Sequence, residues 1–272
     1  MGVLNVTPDS FSDGGAYLDP GAAVARAEAM VGEGASLIDV GGESTRPGAQ
    51  PVSAEEELRR VVPAIERLAR TVRVPISIDT SKAVVAERAL DVGASIVNDV
   101  TALRGDRRMA RVVAAAGVPV VLMHMRGTPQ TMQRETAYGD VVGDVIEELQ
   151  ERIDEAVRSG IARERLIVDP GIGFAKTAEQ SVALIAQLDR FAVLDCPVLV
   201  GPSRKSFIGR VLDAPVDERV MGTAIAVCLS VWHGADMIRV HDVSVMRQVV
   251  RMTAAIRACR ESGSGCDRGG DE

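Results

Sequence analysis

Four polar residues, far apart in the chain, offer one kind of chemistry. Asp79, Asn98 and Asp169 close the apolar stretches ISID, IVND and LIVD, and Lys205 follows VLVG in the stretch GPSRKSF. Carboxylates accept from amino and ring N–H groups, an amide reads an edge both ways, and an ammonium donates to a ring carbonyl. Together they suit a flat, nitrogen-rich heterocycle. A second set, Asn5, Arg239 and His241, comes from the first and last apolar runs, GVLNV and MIRVHD. An arginine and a histidine beside a neutral oxygen ligand suit a phosphate or diphosphate carried with a hard cation such as Mg²⁺.

Each residue taken singly has a plainer explanation. A lone Asp after a strand is usually a helix N-cap, and Asp99 and Asp242 have that form. His124 reads equally well as a hydrogen-bonded core histidine, and His233, inside a helical pattern, as structural. Polar groups at the end of every apolar run are harder to dismiss, because such a ring would be costly to desolvate without a ligand. Gly41, Gly42, Gly171 and Gly173 in the same loops let backbone come close to one.

The runs themselves must be the positioning elements. Val- and Ile-rich stretches recur at 2–6, 36–41, 75–79, 95–99, 118–125, 165–170, 197–201 and 237–242. Apolar throughout, they predict strands buried on both faces, as in a parallel sheet. Helical stretches separate them. Over 141–160, Val145, Leu149, Ile153 and Val157 recur every fourth residue until Gly160 stops the pattern. Over 52–70, Ser53 and Glu56 predict a capping box. Eight strand–helix units imply right-handed crossovers. A closed barrel and an open doubly wound sheet compete. The count of eight, and the lack of GxGxxG after the first run, favour an α/β fold of the (β/α)8 TIM-barrel type. It would be a single domain over 1–260, followed by a disordered Gly/Ser/charge tail, 261–272.

Composition narrows the partners. A net charge of −7 argues against nucleic acid and repels anions overall, so an anionic substrate must be captured by local cations or a metal. No apolar run approaches the ~20 residues of a membrane span, and polar residues arrive too early for a signal peptide. Cys196, Cys228, Cys259 and Cys266 show no paired spacing and read as reduced thiols, which points to the cytoplasm.

The stretches MGVLNVTPDSFSDGG, IDVGGESTRPGA, ISIDTSKA, IVNDV, VLMHMRGTPQTMQ, DPGIGFAK, SRKSFIG and RVHDV, in this order, resemble the dihydropteroate synthase family. The resemblance implies a pterin-binding barrel of folate biosynthesis. It would condense 6-hydroxymethyl-7,8-dihydropterin diphosphate with p-aminobenzoate and release pyrophosphate. Asp79, Asn98, Asp169 and Lys205 would hold the pterin. Asn5, Arg46, Arg239 and His241 would hold the diphosphate, with Asn5 on Mg²⁺. Phe11, Thr45, Arg46, Pro47, Phe174 and Ser203 would form the aminobenzoate pocket, and Asp79, Lys205, Arg239 and His241 would carry the chemistry. In that family pyrophosphate leaves first, and a mobile loop corresponding to residues 8–15 shields the resulting pterin cation from water. A homodimer is the expected assembly. Three departures stand out. The chain opens at the first strand without the segment that precedes it in the family, Ala102 stands where Gly is common, and Pro202 precedes Ser203. Pro202 bears on sulfonamide sensitivity more than on catalysis, and a sulfonamide-insensitive form is one reading. The alternative activity is a methyltetrahydrofolate-dependent methyltransferase of the same fold, which has no use for a diphosphate site. A Schiff-base aldolase using Lys205 is less favoured, since such a lysine usually sits within a strand.

Overall fold

The computed structural model describes residues 1–7, 20–46 and 48–261. Phe11, the rest of the 8–15 loop, Pro47 and the tail beyond Glu261 lie outside the described residues. The eight expected strands all form: β1 (Gly2–Asn5), β2 (Ile38–Gly41), β3 (Ile76–Asp79), β4 (Ile96–Asp99), β5 (Val120–Met123), β6 (Leu166–Asp169), β7 (Leu199–Val200) and β8 (Met237–Ile238). Helices fill the intervals: α1 (Pro20–Glu33), α2 (Ala54–Thr71), α3 (Ala83–Asp91), α4 (Met109–Ala116), α5 (Val141–Arg158), α6 (Ala178–Ala186), α7 (Ser206–Leu212), α8 (Val220–Trp232) and α9 (Val243–Glu261). The seventh interval alone carries two of them, and α9 reaches Glu261, one residue into the expected tail.

β1 to β6 pair in chain order and β7 pairs with β8, all parallel. Single bridges, Val168 to Val198 and Gly2 to Val240, join the two sheets at both edges. Val3 N–H donates to the Val240 carbonyl at 3.0 Å, and Val240 N–H to that of Met1 at 3.0 Å. The sheet is therefore closed, and β8 lies beside β1. β7 is short because Pro197 and Pro202, on either side of it, have no N–H to give a ladder.

Helix ends follow the local chemistry, with one correction. The Ser53 hydroxyl accepts from Glu56 N–H at 3.2 Å, but the Glu56 carboxylate does not return the bond. It is drawn to Arg60 Nε at 2.8 Å and to Arg59, four and three residues on. The complete box is Thr177 with Gln180 at the start of α6. In α5 the apolar stripe buries Val142, Val145, Leu149 and Ile153, while Val157 is exposed. Asp99 is structural, as a plain reading allows: its carboxylate accepts from Thr101 and Leu103 N–H at 2.8 and 2.9 Å. It thereby holds a turn in which Ala102 and Leu103 are left-handed.

The tightest crossing lies between β5 and β6. His124 N–H donates to the Asp169 carbonyl at 2.8 Å. Gly171 then turns at φ +68°, where a Cβ would meet the His124 carbonyl oxygen at 1.9 Å. Backbone cannot yield there. Gly171→Ala is expected to destabilise the barrel by about 3 kcal/mol or more, measured as a fall in the urea midpoint. An unchanged midpoint would show that this crossing is slack.

Candidate active site

Closure sets the level at which the side chains meet. Asn5, Gly41, Asp79 and Asn98 are successive Cα partners across β1 to β4, so they occupy one row at the strand ends. Arg239, just beyond β8, reaches into that row. Its Nε donates to Asp39 Oδ2 at 2.6 Å and its Nη2 to Asp79 Oδ2 at 2.7 Å. Asn98 Nδ2 donates to the same Asp39 oxygen at 3.1 Å. Arg239 thus joins the two residue sets that the sequence kept apart. Barrel closure allows this, because it brings Arg239 from near the end of the chain beside two carboxylates from its first third.

Asp39 stands out in the sequence as the polar group that ends the second apolar run, but sequence reasoning gives it no role of its own. It is fully buried, and its Oδ1 has no hydrogen-bond partner among the described residues. The available signal was a carboxylate inside the apolar run SLIDVG.

The field around this row is uneven. Burial pushes the Asp79 carboxyl up to about 7, with Arg239 pulling the other way and Asp39 adding to the rise. Asp169 is raised by burial too, against the attraction of Lys205 and the Gly171 N–H, which reaches its Oδ1 at 2.7 Å. Burial works against the Arg239 charge, but Asp39 and Asp79 outweigh it and tighten its hold on the proton. Burial pulls Lys205 down to about 8, with Asp169 opposing. Its ammonium donates to the Ile172 carbonyl at 2.5 Å and lies 4.6 Å from the centre of the Phe174 ring.

The rim on the β8 side is built differently from the expectation. Ser203 Oγ lies 2.9 Å from His241 Nδ1 and accepts from His241 N–H at 3.2 Å, so it anchors the histidine. Burial, then Arg239, brings the His241 imidazole down to about 4, so it is neutral at pH 7. In the tautomer whose Nδ1 accepts from the Ser203 hydroxyl, Nε2 carries the proton and is a donor suited to an anionic oxygen. Arg46 is exposed in the loop after β2, and its charge is felt at His241. Thr45 is half-buried beside it. Arg204 grips Asp242 at 2.8 and 2.5 Å, so Asp242 is an ion-pair partner in a structural role. His233 caps the end of α8. His124, undecided from sequence, is buried between Glu148 and Lys176.

Among the described residues no group of three or more His, Cys, Asp or Glu could hold a metal. Asn5 offers one neutral amide oxygen at the rim. That is no cage for a cation by itself, but it suits an Mg²⁺ whose other ligands are phosphate oxygens and water.

Comparison with known proteins agrees with this arrangement. Pterin binding enzymes match over residues 1–241. The dihydropteroate synthase of Synechocystis sp. is 49% identical over 257 residues, covering 94% of this chain and 89% of that one. A crystal structure of the Yersinia pestis dihydropteroate synthase with a sulfonamide drug complex superposes with a TM-score of 0.90 at 43% identity, covering 94% and 93%. The Xanthomonas albilineans dihydropteroate synthase with 4-aminobenzoic acid gives 0.89 at 46% identity, covering 94% and 92%.

Removing Arg239 should test the hub. Arg239→Met leaves Asp39 and Asp79 buried without their cation, an expected loss of about 3 kcal/mol. The loss should depend on pH with a definite sign. A carboxyl whose folded pKa is raised keeps its contribution below the unfolded value and loses it as pH rises through the folded value. Without Arg239 the Asp79 value rises further. Urea midpoints should therefore fall more in the variant at pH 8 than at pH 5. An equal penalty at both would mean that Asp79 does not depend on Arg239.

Proposed function

The chain belongs to the pterin binding enzymes and among them to the dihydropteroate synthase family, and from this premise we infer its reaction. It condenses 6-hydroxymethyl-7,8-dihydropterin diphosphate with p-aminobenzoate to give 7,8-dihydropteroate and pyrophosphate, a transferase step of folate biosynthesis. The observation that carries this at the level of residues is the bridge Asp39–Arg239–Asp79 at the barrel mouth. It places a cation between a carboxylate-and-amide floor and an anion-binding rim. The methyltransferase alternative is not favoured, since the similar curated chain is named dihydropteroate synthase and that chemistry leaves the rim without a use.

Asp169, Asn98 and Lys205 would read the amino, N–H and carbonyl edge of the pterin. The Lys205 ammonium has three N–H donors, so it can reach the pterin while it keeps Ile172. The neutral His241 would donate Nε2–H to the diphosphate, with Arg46 adding charge. Arg239 keeps 22% of its side-chain surface exposed, so it is positioned to turn from Asp79 towards an incoming diphosphate. As pyrophosphate departs, positive charge remains on the pterin methylene, and Asp79 supplies the opposing charge. Phe174, Ser203, Thr45 and Arg46 would form the described part of the aminobenzoate pocket. Asn5 would hold Mg²⁺ together with diphosphate oxygens, and the metal would neutralise charge on the leaving group.

A homodimer is supported by apolar surface on the barrel helices. Met221, Ile225 and Leu229, four residues apart along α8, are 70, 54 and 43% exposed. A stripe of this kind marks an interaction face. No helix among the described residues is long and apolar enough to cross a membrane. A cytoplasmic setting is supported by the positions of Cys196, Cys228, Cys259 and Cys266 in the sequence, which show no paired spacing.

Two experiments test these readings. Pyrophosphate release from the pterin diphosphate with p-aminobenzoate should occur with Mg²⁺ and vanish in EDTA. Full turnover in EDTA would remove the metal, and no turnover under either condition would remove the activity. Light scattering should report a dimer for the wild type, and Ile225→Arg should shift it to the monomer. A monomeric wild type would show that the α8 stripe has another use.

A further inference from the structure

Behind the loop that follows β6 runs a charged chain that the reaction does not touch. Glu148 Oε2 lies 3.0 Å from His124 Nε2, and His124 Nδ1 lies 2.9 Å from Lys176 Nζ. Lys176 Nζ also donates to the Phe174 carbonyl at 2.9 Å. His124 and Lys176 are each 3% exposed, so water does not stand in for a lost partner.

The proton positions follow from the partners. The hydrogen bond from His124, and then Arg126, hold the Glu148 carboxyl down to about 2, so it can only accept. His124 Nε2 must carry its proton. Burial, with Lys176 beside it, keeps the ring neutral, at about 4. Nδ1 is left as an acceptor, and Lys176 must donate to it. Burial pulls Lys176 down to about 7, against the attraction of Asp169, but charged or neutral it has protons for both acceptors. One tautomer satisfies the whole set.

The Phe174 carbonyl belongs to a segment that needs such an anchor. Gly171, Gly173 and Ala175 have φ of +68°, +81° and +50°, so the loop alternates in hand. Three consecutive carbonyls are each taken by a different side chain: Ile172 by Lys205 at 2.5 Å, Gly173 by Gln133 at 3.2 Å and Phe174 by Lys176 at 2.9 Å. Gln133 is exposed, and Lys205 is the residue assigned to the pterin. Lys176 alone is both buried and uninvolved with substrate.

We propose that Lys176, oriented through His124 and Glu148, is a positioning residue that holds Phe174 in the aminobenzoate pocket as Lys205 shares its donors with the pterin. This rests on the dihydropteroate synthase reading above.

Full-chain variants test it by steady-state kinetics and by calorimetry with the pterin diphosphate. Lys176→Met should raise the KM for p-aminobenzoate about tenfold, as one lost charge-assisted contact implies. It should leave the Kd for the pterin diphosphate within about twofold. Two His124 variants separate positioning from bulk stability. His124→Asn keeps an acceptor near Nδ1 and should hold KM near wild type, whereas His124→Gln places its amide near Nε2 and should raise KM as Lys176→Met does. An unchanged KM in Lys176→Met, or equal behaviour of the Asn and Gln variants, overturns the proposal. The His124 pair decides alone if Lys176→Met does not fold. A wild type that releases no pyrophosphate overturns the activity reading instead.

Discussion

The interaction on which the site depends is the Arg239 guanidinium held between Asp39 and Asp79. Asp39 is fully buried, and Asp79 nearly so. Buried carboxylates at this spacing raise one another's affinity for protons unless a cation lies between them. Arg239 can take that place only because the barrel closes, which puts the residue after β8 across the row formed by β1 to β4. Closure is therefore a condition of the electrostatics as well as of packing. The fork geometry matters too, since Nε and Nη2 reach different carboxylates at once, which a lysine could not do in the same manner.

That bridge also resolves the problem posed by the charge. A chain of net charge −7 repels a diphosphate at long range. Its cations at the mouth are few, and Arg239 is already paired. A diphosphate that draws Arg239 away from Asp79 leaves that carboxylate less compensated, at the time when positive charge develops on the other fragment. On the proposed reading, capture of the leaving group and stabilisation of the cation are two ends of one ion-pair exchange. The partial exposure of Arg239 is what permits the exchange, and a deeper arginine would be locked in place.

How much of this was legible in the sequence depends on the range of the interaction. The strands were readable because both of their faces are buried, so each appears as an unbroken apolar run. The polar groups assigned to a heterocycle stood out because they sit at the ends of those runs. The role of Asp39 was not readable, since it is defined by a partner 200 residues away. Arg239 was grouped with Asn5 and His241 from its type and from the adjacency of the first and last strands in a closed barrel, and its tie to Asp79 came only with the structure. Ser203, expected in a pocket wall, also contacts the His241 ring and backbone, a pairing that needed the structure. Glu56 looked like half of a capping box, until two arginines in the next turn competed for it. Phe11 and Pro47 lie outside the described residues, so the roles given to them by resemblance stand as expectations.

The two histidines near the site show a shared solution to a local problem. A catalytic barrel mouth that must bind anions would gain from imidazolium, yet burial drives both His124 and His241 to the neutral form. A neutral ring can still serve if its tautomer is fixed. In both cases Nδ1 is engaged by a donor, the Ser203 hydroxyl for His241 and the Lys176 Nζ for His124. Nε2–H then projects as a donor of known position, towards Glu148 in one case and available to the rim in the other. The barrel thus obtains directional donors where desolvation forbids an imidazolium, and its positive charge comes from the Lys205 ammonium and from arginines, whose protons burial cannot remove.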